Sequence, residues 1–252
     1  MSRGILVTGA ASGLGRAVAH AFADRGDRVA VHYNSNRADA ETTLKALPGK
    51  GHTLVQGDIT TAPQRIADTA EEALGGVDVL VNNAAVVTTN ATAHPLADTS
   101  FEHWQRMWRE SVAVNLLGAA DLTYCVARHM IARDVPGHIV NVGSRGAFRG
   151  EPDHPAYGAT KAALHSMGQS LAVSLAPHGI SVASVAPGFI ATERVADWLT
   201  GERGEALRAQ SPFGRVAEPG EIAEAIVYLA SPGSTWASGA ILDLNGASYL
   251  RT

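Results

Sequence analysis

A short β-rich run, Arg3-Gly-Ile-Leu-Val-Thr8, ends in Gly9-Ala-Ala-Ser-Gly13-Leu-Gly15, and the helical segment RAVAHAFADRG follows at once. Strand, glycine turn and helix in direct succession is a severe constraint on a fold. The glycines let backbone approach a bulky anion. The helix that begins there presents free N–H groups and the positive end of its dipole. This is the context that a dinucleotide-binding loop requires. The spacing is G-x-x-x-G-x-G, and a glycine turn by itself also serves simple tight turns. Its position at the first strand–helix junction is what gives it weight.

The same alternation continues along the chain. Strands are expected at RVAVHY (28–33), HTLVQGD (52–58), VDVLVNNAA (77–85), GHIVNVG (137–143), GISVASVAP (179–187) and GAILDLNG (239–246). Helices are expected at 38–47, from Pro63 to Leu74, from Phe101 behind the capping residue Ser100, over 119–133, over 155–178, and after Pro219-Gly220. Asn115 followed by Gly118 is unfavourable inside a helix and hints at a kink or a special role. Residues 86–98 read as a polar loop, and 189–215 as a flap or surface excursion. Neither a linker nor a repeat interrupts the pattern. The fold class expected is α/β: one doubly wound, Rossmann-type domain over 1–252 with a mainly parallel seven-stranded sheet.

Composition narrows the function. The 252 residues carry a net charge of −4, which gives no electrostatic case for nucleic acid or an anionic membrane surface. No apolar run approaches the ~20 residues of a membrane helix, and the N-terminus lacks a long apolar leader. A soluble, cytoplasmic protein is expected. Cys125 is the only cysteine, so no internal disulfide can form, and its apolar helical surroundings suggest an inert buried thiol. No metal site is expected.

The chemistry concentrates between Ser144 and Lys161. Tyr157-Gly-Ala-Thr-Lys161 follows Pro155, which can open a helix without losing a needed N–H. Residues four apart share a helix face, so the Tyr157 phenol and the Lys161 ammonium address the same space. Ser144 lies at the carboxyl end of the fifth strand, the edge where ligands collect in open α/β sheets. A Tyr–Lys pair at this spacing is common by chance; the surrounding strand pattern is what singles it out.

The end of the second strand bears on cofactor choice. An acid there would bond an adenosine ribose hydroxyl. Here the chain runs Tyr33-Asn34-Ser35-Asn36-Arg37, with no acid before Asp39. Asn34, Ser35, Asn36 and Arg37 are therefore candidates to hold a 2′-phosphate, and NADP(H) is expected over NAD(H). The alternative is a polar loop with a solvated arginine.

Taken together, TGAASGLG (8–15), Asp58, NNAA (82–85), Asn115, Ser144, YGATK (157–161) and PGFIAT (187–192) resemble, in order and spacing, the short-chain dehydrogenase/reductase family in its short single-domain branch. The resemblance runs along essentially the whole chain. One departure is Ala85, where the family usually has glycine. The resemblance implies a catalytic tetrad of Asn115, Ser144, Tyr157 and Lys161, and interconversion of a carbonyl and a secondary alcohol on a small molecule. It implies that Gly9, Ser12, Gly13, Leu14 and Gly15 cradle a pyrophosphate. Asp58 and Ile59 would meet adenine, Asn83, Ala84 and Ala85 the adenosine side, and Pro187, Gly188, Ile190 and Thr192 the nicotinamide end, with Tyr157 and Lys161 also at the ribose. It implies a homotetramer. The Lys161 ammonium, together with the positive charge of an oxidised nicotinamide, is expected to favour the Tyr157 phenolate and lower its pKa.

Within the family the tail is most similar to 3-oxoacyl-[acyl-carrier-protein] reductases and to bacterial sugar or alcohol dehydrogenases. Carrier-protein reductases place docking cations where this chain has Val135 and His178. A redox-inactive regulator on the same fold is the rival from another class; it would be expected to have lost a tetrad member. Arg145, Arg149, His154 and Arg194 are candidates to meet an anionic or polyhydroxylated substrate, or to be solvated loop residues.

Overall fold

The computed structural model describes residues 2–251. Seven strands, β1 (Gly4–Val7), β2 (Arg28–Tyr33), β3 (Thr53–Gln56), β4 (Val79–Asn82), β5 (Gly137–Val142), β6 (Ile180–Pro187) and β7 (Ile241–Leu244), form one sheet. Their order is 3-2-1-4-5-6-7, and every neighbouring pair is parallel. The order reverses between β1 and β4, which opens a crevice at their carboxyl ends.

Alternation within the strands explains why both faces need helices. Ile5 and Val7 point into one apolar cluster and Leu6 into the other. Val79 and Val81 against Leu80, and Val140 and Val142 against Ile139, repeat the division. A strand apolar on both sides is stable only between two layers. Helices α1 (Gly13–Ala23), α2 (Arg37–Ala46) and, near the chain's end, α9 (Pro219–Leu229) cover the first face. Helices α3 (Pro63–Leu74), α5 (Ala119–Ala132) and α7 (Pro155–Leu175) cover the second.

Between α4 (Phe101–Val112) and α5 the chain passes through a π turn, Ala113–Gly118. The expected irregularity at Asn115 and Gly118 is this turn. A β-carbon on Gly118 would come within 2.8 Å of Ile59 Cγ1, so the residue lets the turn approach the loop after β3. A short helix α6 (Gly146–Arg149) follows β5. The segment 189–215 contains a 3-10 stretch, Glu193–Leu199, and helix α8 (Gly201–Arg208). No helix among the described residues is long and apolar enough to cross a membrane.

Candidate active site

A cleft of about 470 Å³ lies at the carboxyl ends of β1 and β4. Gly9, Ser12, Gly13, Leu14 and Gly15 form one wall. Gly9 takes φ +64°, the left-handed region that favours glycine. A β-carbon on Gly15 would stand 2.3 Å from the Gly9 carbonyl oxygen, so only glycine lets the helix start this close to the turn. Ser12 makes no side-chain cap bond. The first-turn N–H groups of α1 have no intrahelical acceptor and are left to an anion. The residues present therefore fit the pyrophosphate of a dinucleotide.

Two polar side chains brace this wall, and sequence reasoning missed both. Thr8 Oγ1 accepts from the N–H groups of Asn83 and Ala84 at 2.8 and 2.9 Å, tying the end of β1 to that of β4. His32 Nδ1 accepts from the Gly9 N–H at 3.2 Å, and its Nε2–H donates to the Gly57 carbonyl at 3.0 Å. Those partners fix the neutral tautomer, and burial pushes His32 down to about 4. A histidine inside the otherwise apolar strand RVAVHY was the available signal.

The adenosine end is lined by Asn34, Ser35, Asn36, Asp58, Ile59, Asn83, Ala84 and Ala85. Asp58 Oδ1 accepts from the Thr60 hydroxyl at 2.7 Å and the Thr60 N–H at 2.8 Å. Those bonds hold its carboxyl below the ordinary range. Asn36 caps α2 by accepting from the Asp39 N–H, and its amide donates to the Asp39 carboxylate at 2.6 Å. Arg37 corrects the expectation. It is the first residue of α2, its Nε donates to Glu41 at 2.7 Å, its side chain is 68% exposed, and it does not line the cleft. Helix geometry explains this: an i,i+4 partner is in reach along the helix, and the cleft is not.

At the other end, Tyr157 and Thr192 line the cleft. Of the remaining nicotinamide-end candidates, Pro187 and Gly188 belong to the sheet edge and Ile190 packs into the core, where it pairs with Ala217; these three lie outside the cleft lining. Ser144 is buried beside Tyr157, and its Oγ accepts from the Gly146 N–H at 3.0 Å. Lys161 is buried, and its ammonium donates to the Val142 carbonyl at 2.7 Å. Asn115 Oδ1 accepts from the Val86 N–H at 2.8 Å, and its Nδ2 donates to Thr160 Oγ1 at 3.0 Å. The π turn is thereby fastened to the helix that carries Tyr157 and Lys161.

The electrostatics also differ from expectation. Burial raises the Tyr157 phenol to about 12, partly opposed by a hydrogen bond with Ser144. Burial lowers Lys161 to about 8. The depressed phenol expected from Lys161 together with an oxidised nicotinamide is not produced by Lys161 alone. Desolvation outweighs the ammonium because Lys161 is bonded to Val142 and lies across the ring face instead of meeting the hydroxyl. Among the substrate candidates, His154 Nε2 bonds the Thr89 carbonyl at 3.0 Å, and Arg145 and Arg149 converge on Gln210. The Arg194 side chain lies outside the described residues.

A parallel sheet with a glycine-walled crevice, Tyr157 lining it and Lys161 buried behind the Tyr157 ring defines a dinucleotide-binding α/β protein. The profile of a family described as enoyl-(acyl carrier protein) reductase matches residues 9–246. The chain is 35% identical to L-rhamnose 1-dehydrogenase (NAD(P)(+)) of Sphingomonas sp., over 98% of this chain and 96% of that protein. It is 37% identical to cis-4-hydroxycyclohexanecarboxylate dehydrogenase of Sinomonas cyclohexanicum, over 96% and 94% of the two chains. The crystal structure of a 3-ketoacyl-(acyl-carrier-protein) reductase from Brucella melitensis, complexed with NADH, superposes with a TM-score of 0.86 at 29% identity, covering 98% of each chain. The chain belongs to the short-chain dehydrogenase/reductase family of oxidoreductases.

Proposed function

We propose that this protein is an NAD(P)(H)-dependent oxidoreductase that interconverts a small-molecule carbonyl and its secondary alcohol, with Tyr157 as the acid or base. The observation that carries the reading is the convergence of Tyr157, Ser144 and Lys161 beside a cleft whose glycine wall suits a pyrophosphate. A nicotinamide dinucleotide bound in the cleft supplies or accepts the hydride. Every other contribution comes from the chain. Gly13, Leu14 and Gly15 offer their N–H groups to the pyrophosphate.

In the reductive direction Tyr157 gives its proton to the carbonyl oxygen, and in oxidation it takes the proton back. Its high pKa keeps the phenol protonated at neutral pH, ready for reduction. Gly146 N–H occupies one lone pair of Ser144 and fixes its place, and the Ser144 hydroxyl, which bonds the Tyr157 phenol in the free protein, turns to the substrate oxygen and orients it. The Lys161 ammonium, close to the ring, favours the phenolate left after proton transfer. Asn115 braces the π turn against α7 and, as the resemblance implies, holds a water toward Lys161 for proton relay.

NADP(H) is favoured over NAD(H), because Asn34, Ser35 and Asn36 line the adenosine end and none of them is an acid. The margin is narrow, since Arg37 is committed to Glu41. A homotetramer is part of the proposal. Tyr124 on α5 and Val173 on α7 are 67% and 78% exposed, and Tyr228 on α9 and Trp236 beyond it are exposed as well; such apolar side chains call for partners. A carrier-protein substrate is the second reading, favoured by the likeness to the Brucella reductase.

A panel of ketones, aldoses and acyl thioesters, assayed with NADPH and with NADH by cofactor absorbance, tests the function. Turnover of any member supports it. Cofactor binding without turnover across the panel would favour a regulator.

A further inference from the structure

A second cavity, of about 250 Å³, lies between the 189–215 segment, α9 and the turn after β7. It shares no lining residue with the cleft that holds Tyr157. Its walls are largely apolar, with Phe189, Leu207, Val216, Ile222 and Leu244 among them. One charged group stands out. Arg145, next in sequence to Ser144, lines the cavity and is only 4% exposed.

The guanidinium of Arg145 meets neutral acceptors alone. Nη1 donates to Ser248 Oγ, and Nη2 donates to Gln210 Oε1 at 2.5 Å. Its Cζ lies over the Phe189 ring, 5.5 Å from the centroid. No carboxylate among the described residues pairs with it. The Arg149 guanidinium donates to the same Gln210 oxygen at 3.1 Å, so two cations share one amide oxygen. The other charges on the wall cancel: Arg215 and Glu221 form two hydrogen bonds of 2.7 Å with each other. Burying a charge is costly unless an opposite charge meets it. The planar fork of arginine matches a carboxylate with two parallel bonds, which a hydroxyl and an amide reproduce poorly. Desolvation accordingly lowers the Arg145 pKa, with Arg149 acting in the same sense; the Glu151 carboxylate opposes them through space without pairing with the guanidinium.

We propose that this cavity binds a small organic monocarboxylate, its carboxylate on the Arg145 fork and its apolar body against Phe189, Leu207 and Ile222. The ligand supplies the negative charge that Gln210 and Ser248 cannot. Because the cavity is separate from the Tyr157 cleft, this site does not depend on the oxidoreductase reading and can be tested without turnover.

The test uses the full, cofactor-free chain and two probes of one shape, hexanoate and hexanamide, at matched ionic strength. Binding is read by calorimetry and by the thermal midpoint. Hexanoate is expected to bind roughly tenfold or more tighter than hexanamide, the usual margin of a charge-assisted bond over a neutral one. Arg145→Met should abolish that difference, but it removes a buried side chain beside Ser144, so a second variant guards against a failure to fold. Gln210→Glu keeps size and shape and supplies the missing carboxylate from within. It is expected to raise the midpoint of the free protein and to weaken hexanoate at least tenfold. Equal binding of acid and amide, no binding of either, or unchanged hexanoate affinity in Gln210→Glu would each overturn the proposal.

Discussion

The Lys161 ammonium lies 5.6 Å from the centroid of the Tyr157 ring, over its face, and donates to the Val142 carbonyl instead of the phenol oxygen. The pair is therefore coupled through space and not by a direct hydrogen bond. With Tyr157 near 12 and Lys161 near 8, both groups hold their protons at neutral pH. That state is set for delivering a proton to a carbonyl.

Lys161 loses its proton as the pH rises through about 8. The ammonium that stabilises a developing phenolate is then gone. Carbonyl reduction is expected to lose kcat/KM above that pH, roughly tenfold per unit on the falling limb. The pH–rate profile checks this; a flat profile between about pH 7 and 10 would contradict it.

Three buried histidines, His32, His138 and His165, have pKa values lowered to about 4 by desolvation. Each is neutral when folded and takes a proton when unfolded between about 4 and 6.5. The unfolded state binds more protons in that window, so stability falls as the pH drops from 6.5 to 4. Each contributes up to about 3 kcal/mol over that range. Among the described residues the His138 ring bonds Ser181 Oγ alone, at 2.7 Å, and lies away from the cleft. Thermal midpoints from pH 7 to pH 4 should fall steeply in wild type, and His138→Gln should reduce the slope by about one proton.

Gly15→Ala places a methyl group against the Gly9 carbonyl oxygen. The glycine turn must shift to accept it, at a cost of about 1–3 kcal/mol. Cofactor affinity should fall with stability. Calorimetric Kd values unchanged from wild type would show that the loop is not the pyrophosphate cradle.

Arg37→Ala is expected to change the ratio of kcat/KM for NADPH to that for NADH by less than about threefold, because the side chain is solvated and paired along its own helix. A change of tenfold or more would mean that Arg37 leaves Glu41 when cofactor binds.

Much of this architecture is legible in the chain because its signals are local. Gly9, Gly13 and Gly15 mark a strand–helix turn, and Pro155 marks the start of the Tyr157 helix. The irregularity at Asn115 and Gly118 follows from poor helix propensity in an otherwise helical run, and the structure resolves it as a π turn. What the sequence conceals depends on direction and distance. Whether Arg37 faces the cleft or its own helix turns on one residue of helix phase. The raised phenol of Tyr157 reflects burial and the aim of Lys161, and a spacing of four residues encodes neither. Thr8 and His32 gain their roles from β4 and from the loop after β3, elements distant in sequence.

The central claim is that the Tyr157 hydroxyl transfers the proton in an interconversion of carbonyl and alcohol. Tyr157→Phe deletes that hydroxyl and preserves the ring. With a carbonyl substrate identified from the panel, kcat is expected to fall by roughly 10² or more, while the calorimetric Kd of the cofactor stays within about threefold of wild type. Turnover by Tyr157→Phe close to that of wild type would contradict the account.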